Sequence, residues 1–297
     1  MPSNLNPLGA LPARFRRSRL LIIGCGDVGL RVNRALHRPP QGKAQAPSPS
    51  SARGLRVLAL TSSAERMPAL RAAGIAPLLG NLDQPATLAR LAGLAQRVLH
   101  LAPPPGEGWR DPRTEHLLQA LHRRSRPQAL VYVSTSGVYG DCEGAWVDET
   151  RPVAPGTPRG QRRVNAERVV RGWGLTAGAR TSILRVPGIY AMDRVGGTPL
   201  TRLRKGMPVL QQAQDVYTNH IHADDLARAC VAALWRGQPS RIYHASDDTE
   251  LRMGDYFDLA ADLHGLPRPP RISRQEAAGS LPGSLLSFMG ESRRLRN

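Results

Sequence analysis

The sequence predicts an α/β fold, a doubly wound parallel sheet carrying a small C-terminal subdomain, and three observations predict it. An apolar run at Leu20–Ile23 leads straight into glycines spaced GxGxxG, namely Gly24, Gly26 and Gly29. Strand-like and helix-like runs then alternate up to Pro187, the pattern of right-handed parallel βαβ units covered on both faces. Beyond Pro187 the alternation breaks into short elements. At 297 residues, 41% of them hydrophobic, the chain can bury one large core with an appendage.

Each element follows from its local chemistry. Leu20–Ile23 reads as a buried parallel strand, and a helix punctuated by Val28, Leu30, Val32 and Leu36 starts near Asp27. Residues 38–54, rich in Pro, Ser and Ala without an apolar period, read as a flexible insertion. A second strand is expected at Leu55–Leu60, a helix at Ala64–Ala73, a third strand at Ala76–Leu79 and a helix at Gln84–Leu94. The fourth strand falls at Arg97–Leu101, a helix at Thr114–Arg124 and the fifth strand at Ala129–Ser134. After a polar stretch, Gly137–Gly160, come a helix ending near Arg171 and a strand at Thr181–Arg185. Short elements at Thr198–Lys205 and Thr218–His222, a helix at Asp224–Trp235, a strand at Ile242–Ala245 and a helix at Met253–Leu263 precede an irregular tail. The expected division is a basic tail at 1–18, a nucleotide-binding domain at 19–187, and a small substrate-binding subdomain with the tail at 188–297, interleaved with the sheet.

No apolar run approaches the roughly 20 residues of a membrane span, so no membrane partner is expected. Arg14, Arg16, Arg17 and Arg19 ahead of LLIIG superficially resemble a secretion leader, but the apolar part is short and lacks a small-residue cleavage site. Cys25, Cys142 and Cys230 have neither CxxC nor metal-ligand spacing, which implies a reducing, cytoplasmic compartment and no metal. Cys25 reads either as a thiol with a helix-lowered pKa or, the preferred reading, as a small residue that fits the turn. The net charge of +18 raises nucleic acid as a partner. The excess is nearly all arginine, scattered in short clusters at Arg14–Arg19, Arg123–Arg126, Arg159–Arg163 and Arg293–Arg296, with only 4% aromatic residues to stack on bases. Together with abundant Ala, Gly and Pro this looks like GC-rich coding bias, and no specific nucleic-acid partner is expected.

Ligands of open parallel sheets collect beyond the carboxyl ends of the strands. Gly24 lets the chain turn sharply off the first strand, Gly26 lets bare backbone approach a pyrophosphate, and Gly29 lets the helix pack closely. The helix start at Asp27 and Val28 aims free N–H groups and a positive dipole end at the phosphates. After the second strand, Thr61, Ser62 and Ser63 with Arg66 nearby stand where an NAD-selective site usually shows an acid. Hydroxyls plus an arginine suit a 2′-phosphate, so the cofactor reading leans to NADP, with NAD as the alternative. Ser62 or Ser63 as a helix N-cap is an equally available reading. Asn81 and Leu82 are placed beside the adenine, and Leu101, Ala102 and Pro103 along the middle of the cofactor; both segments also read as plain loop.

The sharpest motif is VSTSGVYG, Val133–Gly140. With GCGDVG near the start, VDETRPVAP at Val147–Pro155, LRVPGIY at Leu184–Tyr190 and HIHADDLA at His220–Ala227, all in order over residues 19–265, the chain resembles the extended short-chain dehydrogenase/reductases, the NAD-dependent epimerase/dehydratase superfamily, and within it an atypical YeeZ-like branch. The resemblance implies a Rossmann-type domain, Thr135 as the hydroxyl that hydrogen-bonds a substrate oxygen, and Pro187–Tyr190, Ile189 included, lining the nicotinamide end. It implies a structural role for His222 and Asp225, and a homodimer built from the helices after the fourth and fifth strands. The family's Tyr and Lys stand four residues apart just before an Ala-Glu pair; counted back from Ala166 and Glu167, those places hold Arg159 and Arg163. Arginine keeps its proton at any relevant pH, so neither serves as general base. Arg163 can still replace the lysine in holding a ribose hydroxyl or an anionic substrate. Tyr139, Tyr190 and Tyr217 are candidates for a relocated acid, each also readable as a packed structural residue. Relatives usually continue beyond ESRRLRN, and loss of that edge is expected to weaken the tail.

Three readings follow. The first is a cytoplasmic NAD(P)-dependent oxidoreductase or epimerase-like enzyme with a non-standard site, acting on a small carbonyl, a hydroxyl compound or a nucleotide sugar. The second is an NAD(P)-binding sensor or interaction protein without catalysis. The third, a nucleic-acid binder using the +18 charge, requires affinity that falls steeply with salt.

Overall fold

Side-chain alternation in the first strand already requires two covered faces: Leu20 and Ile22 join one apolar cluster, Leu21 and Ile23 the other. The computed structural model describes residues 17–37 and 54–297; the tail up to residue 16 and the insertion at 38–53 lie outside the described residues. The strands are β1 (Arg19–Ile23), β2 (Arg56–Thr61), β3 (Ala76–Leu79), β4 (Arg97–His100), β5 (Ala129–Thr135), β6 (Trp146–Val147), β7 (Arg180–Val186), β8 (Gly188–Tyr190), β9 (Val209–Leu210), β10 (His220–His222), β11 (Arg241–His244), β12 (Arg271–Ile272) and β13 (Arg294–Leu295). Seven of them form one parallel sheet in the order β3-β2-β1-β4-β5-β7-β11. The order reverses between β1 and β4, the switch point at which open α/β sheets bind ligands.

One face of the sheet is covered by α1 (Asp27–His37), α2 (Met67–Ala72) and α6 (Ala223–Arg236), whose Val32, Leu70, Leu226, Cys230 and Leu234 complete the cluster around Leu20 and Ile22. The other is covered by α3 (Pro112–His122) and α4 (Pro158–Ala177) through Leu117, Leu121, Ala166 and Val170. A third cluster, built on Leu203, Val209, Val216, Met253 and Phe257, lies under α5 (Leu200–Arg204), α7 (Met253–Leu263), α8 (Arg274–Ser280) and α9 (Gly283–Met289). The result is a Rossmann-type fold.

Two elements differ from expectation. Gln84–Leu94 is a 3₁₀ segment over Pro85–Leu91 rather than an α-helix. Its buried Leu88 and Leu91 are three apart, the period of a 3₁₀ turn, and Thr87 Oγ1 draws the chain tight by donating toward the carbonyls of Gln84 and Asn81. The tail is ordered, not irregular. Ser273 and Glu276 form a reciprocal capping box at the start of α8, and β13 pairs in parallel with β6 while burying Leu295 beside Val147.

Candidate cofactor and substrate site

At the end of β1, Gly24 adopts φ +78°, and a Cβ there would sit 2.6 Å from the backbone nitrogen of Ala102, so the exits of β1 and β4 cross at van der Waals limit. Gly26 faces the opposite situation: nothing lies within 4 Å of where its Cβ would be. Gly29 packs its α-carbon against Cys25 and Ile22, where a Cβ would meet Cys25 Sγ at 2.9 Å. Bare backbone at Gly26 and the open first turn of α1 leave room for a pyrophosphate, so these residues fit the dinucleotide that the motif implies. Cys25 itself is buried, and burial pushes its thiol up to about 11, the behaviour of a packing residue.

Asp27 opens α1 and is gripped twice, by Arg31 Nε at 3.1 Å and by Arg194 Nη1 at 2.6 Å. Buried Arg31 also donates to Asp193 Oδ1 at 2.5 Å and Asp224 Oδ1 at 2.7 Å. Burial works against the Arg31 charge, but its hydrogen bonds to three carboxylates more than restore it. The loop after β8 and the start of α6 are thereby fastened to the helix that begins at the glycine turn.

Along the ends of β2 and β3 runs a cleft of about 720 Å³ lined by Ser62, Leu79, Gly80, Asn81, Thr87 and Arg90. Thr61 is buried and bonds the Ser63 backbone; Ser62 is exposed. Ser63 occupies an N-cap position without a side-chain cap bond, so the capping reading fails there. Arg66 reaches back to donate from Nη2 to the Cys25 carbonyl at 2.8 Å, which sets its guanidinium over the glycine turn. Asn81 holds a local turn through Asp83 N at 3.0 Å, whereas the Leu82 side chain is buried in the core and only its backbone faces the loop. Leu101 is half-buried, Ala102 lies under Gly24, and Pro103 is exposed.

Thr135 ends β5 and its Oγ1 accepts from Gly137 N at 3.2 Å, which leaves the hydroxyl proton to donate elsewhere. Pro187 and Ile189 flank the start of β8, with Ile189 resting against the α6-side core. Arg159 is exposed on the first turn of α4. Arg163, one turn further, turns back to the sheet and donates from Nη1 to Tyr132 Oη at 3.0 Å and the Val133 carbonyl at 2.9 Å. That Nη1 is therefore committed within the protein, so a ribose hydroxyl or anionic substrate would have to be met by Nε or Nη2.

None of the candidate phenols is hydrogen-bonded to Thr135 among the described residues. Tyr139 is buried, donates to His244 Nε2 at 2.6 Å and accepts from Arg185 Nη1 at 2.7 Å, inside a network in which Arg185 also pairs with buried Glu167. Tyr190 packs edge-on against His220 and His222, and the Tyr217 ring lies under Arg252 and Arg294. His222 accepts from Asp224 N through Nδ1 and so caps α6, the structural role expected of it.

Sequence reasoning missed the buried partners of Arg163. His100 Nε2 lies 2.8 Å from Thr114 Oγ1, which donates to Asp111 at 2.7 Å, and Tyr132 packs beside His100. The apolar alternation of β4 and β5 conceals this polar group, although a His and a Tyr at strand positions that pair across the sheet were a usable signal.

Residues 51–245 match the NAD dependent epimerase/dehydratase family. The chain belongs to that family. It is 26% identical to GDP-6-deoxy-D-mannose reductase of Pseudomonas aeruginosa, over 62% of this chain and 69% of that one, and 32% identical to UDP-glucose 4-epimerase of Azospirillum brasilense, over 46% of this chain but only 36% of the epimerase. Among solved structures it resembles a conserved protein of unknown function from Silicibacter pomeroyi (29% identity, TM-score 0.74, 94% and 89% of the two chains). It shares the fold of UDP-glucuronic acid 4-epimerase from Bacillus cereus, solved with NAD (17% identity, TM-score 0.68, 93% and 97% of the two chains).

Proposed function

We propose that this family member is an NAD(P)-dependent oxidoreductase or epimerase-like enzyme acting on a nucleotide sugar or small carbonyl compound, with a proton path that does not use the first turns of α4. The observation that carries this reading is the open backbone at Gly26 beside the start of α1, set against the crowded Gly24. A bound nicotinamide would supply hydride transfer; the chain's own residues bind and orient. Gly26, Asp27, Val28 and Gly29 hold the diphosphate, Ser62, Ser63 and Arg66 meet the adenosine ribose, and Thr135 donates its hydroxyl proton to a substrate oxygen. The position of Arg66 favours NADP over NAD.

Calorimetric titration with NAD and NADP in both oxidation states tests cofactor binding and preference. Nicotinamide absorbance with nucleotide sugars and small carbonyl compounds then tests turnover. Tight cofactor binding without any absorbance change across that panel supports a second reading, a cofactor-binding sensor, which the internal commitment of Arg163 favours. The homodimer implied by the family resemblance would form through α3 and α4, whose groove of about 510 Å³ mixes Leu118, Val169 and Trp173 with Arg110, Glu115 and His122. Sedimentation equilibrium checks it.

A further inference from the structure

Five of the seven sheet strands open with arginine: Arg19, Arg56, Arg97, Arg180 and Arg241. Because every strand is parallel, all five stand on one edge of the molecule, opposite the glycine turn. The covering helices run back against the strands, so their last turns reach the same edge, and α3 delivers exposed Arg123 and Arg124 there. Each described passage of the chain through this edge falls within residues 17–26, 28–64, 66–82, 84–106, 116–140, 168–192 or 226–246, and none of these stretches contains Asp or Glu. Among the described residues, no ion pair includes an arginine of this edge. Arginines that look scattered along the sequence, one at the start of each of five strands and two after α3, are gathered by the topology into one cationic surface without a carboxylate partner among the described residues.

The inner arginines are fixed by backbone carbonyls. Arg97 Nε and Arg180 Nη2 both donate to the Leu234 carbonyl, at 3.3 and 3.1 Å, and Arg19 Nη1 donates to the Leu94 carbonyl. Arg56, Arg123, Arg124 and Arg241 are exposed. At about 4.8 Å per strand, the six strands from β2 to β11 spread this charge over about 24 Å, enough for several phosphates of one polyanion.

We infer that this edge binds the phosphate backbone of double-stranded nucleic acid without reading its sequence. Two observations select that partner. Single strands are held largely by stacking, and this edge exposes no Phe, Tyr or Trp among the described residues; Trp235 is half-buried under Arg97 at 4.8 Å. A lipid surface calls for several inserted apolar side chains, and Leu175 is the one large apolar residue exposed here among those described.

The test uses fluorescence anisotropy of a labelled 20-base-pair duplex of arbitrary sequence, over a series of salt concentrations. With about six phosphates neutralised, log K should fall against log salt with a slope of about −5. Arg56→Gln/Arg123→Gln/Arg124→Gln/Arg241→Gln should reduce the slope to about −2, while Arg204→Gln/Lys205→Gln, distant from this edge, should leave it unchanged. Circular dichroism melting of both variants shows that they fold. A flat salt response, or equal effects of the two variants, overturns the inference. Binding to vesicles of anionic lipid without binding to duplex also overturns it and assigns the edge to membranes.

Discussion

At the scale of single residues, Gly24 and Gly26 of one turn stand in opposite steric situations. Gly24 is demanded by the fold: alanine there takes a left-handed backbone and drives its Cβ to 2.6 Å from Ala102 N. Gly24→Ala should therefore lose at least about 2 kcal/mol of stability, read as a lower urea midpoint. Gly26→Ala should melt within about 0.5 kcal/mol of the parent, because its Cβ meets nothing, yet bind dinucleotide at least about 10-fold more weakly as that methyl enters the pyrophosphate's space. Equal losses of stability from both substitutions would contradict this division. The same reasoning bears on Arg66, whose guanidinium holds the Cys25 carbonyl and which we propose to meet the adenosine ribose. Arg66→Ala should weaken NADPH by about 10-fold or more while changing NADH little, as calorimetry can measure. The sequence carried these positions because a GxGxxG turn is local chemistry. It could not carry the inward turn of Arg163, whose acceptors Tyr132 and Val133 lie some 30 residues earlier.

At the scale of elements, the strands were readable because a buried parallel strand is a nearly continuous apolar run, and the α6 and α7 boundaries because their apolar period is clear. Pro85–Leu91 was not, since an i, i+3 pair of leucines serves α and 3₁₀ turns alike. The capping box at Ser273 and Glu276 was visible and passed over. What no local pattern could show is the clamp between α1, the loop after β8 and α6, in which Arg31 meets carboxylates 162 and 193 residues further along the chain. Arg31 is buried whereas Asp27, Asp193 and Asp224 retain water, so removing the cation strands carboxylates that solvent still reaches. Arg31→Met should cost about 2–3 kcal/mol, less than a fully buried pair would. Arg194→Ala should leave stability nearly intact but let the loop after β8 lift from the glycine turn, seen as faster amide exchange over residues 191–197. Unchanged exchange there would mean that the Arg194–Asp27 pair does not hold the loop.

At the scale of the whole molecule, the topology sorts charge in a way that a one-dimensional reading treats as noise. Parallel strands put every strand start on one edge, so the five arginines that open strands gather there while carboxylates such as Asp27, Asp83 and Asp111 stand near the strand ends. Titration of the fold is set elsewhere, by the buried His100 and His244 and the half-buried His220. Burial lowers His100, His220 and His244, and for His100 burial together with nearby Arg163 brings it to about 3. A histidine depressed in the folded state refuses the proton that the unfolded chain accepts below about pH 6.5, so stability must fall as pH falls from there toward the folded value. Each such histidine contributes up to about 1.4 kcal/mol per pH unit in that window. Asp193 and Asp224, held low by their hydrogen bonds to Arg31, add a further loss only in the carboxylate range, while Asp111 and Asp215, raised by burial, oppose it. Urea midpoints at pH 7.5, 6.5 and 5.5 and constant ionic strength should therefore decline between the last two values. In His100→Asn, which has no imidazole to titrate, the decline should be shallower by up to about 1.4 kcal/mol per pH unit. An identical decline in parent and variant would show that His100 takes up its proton in the folded protein, and that the contact with Thr114 and Asp111 admits an imidazolium after all.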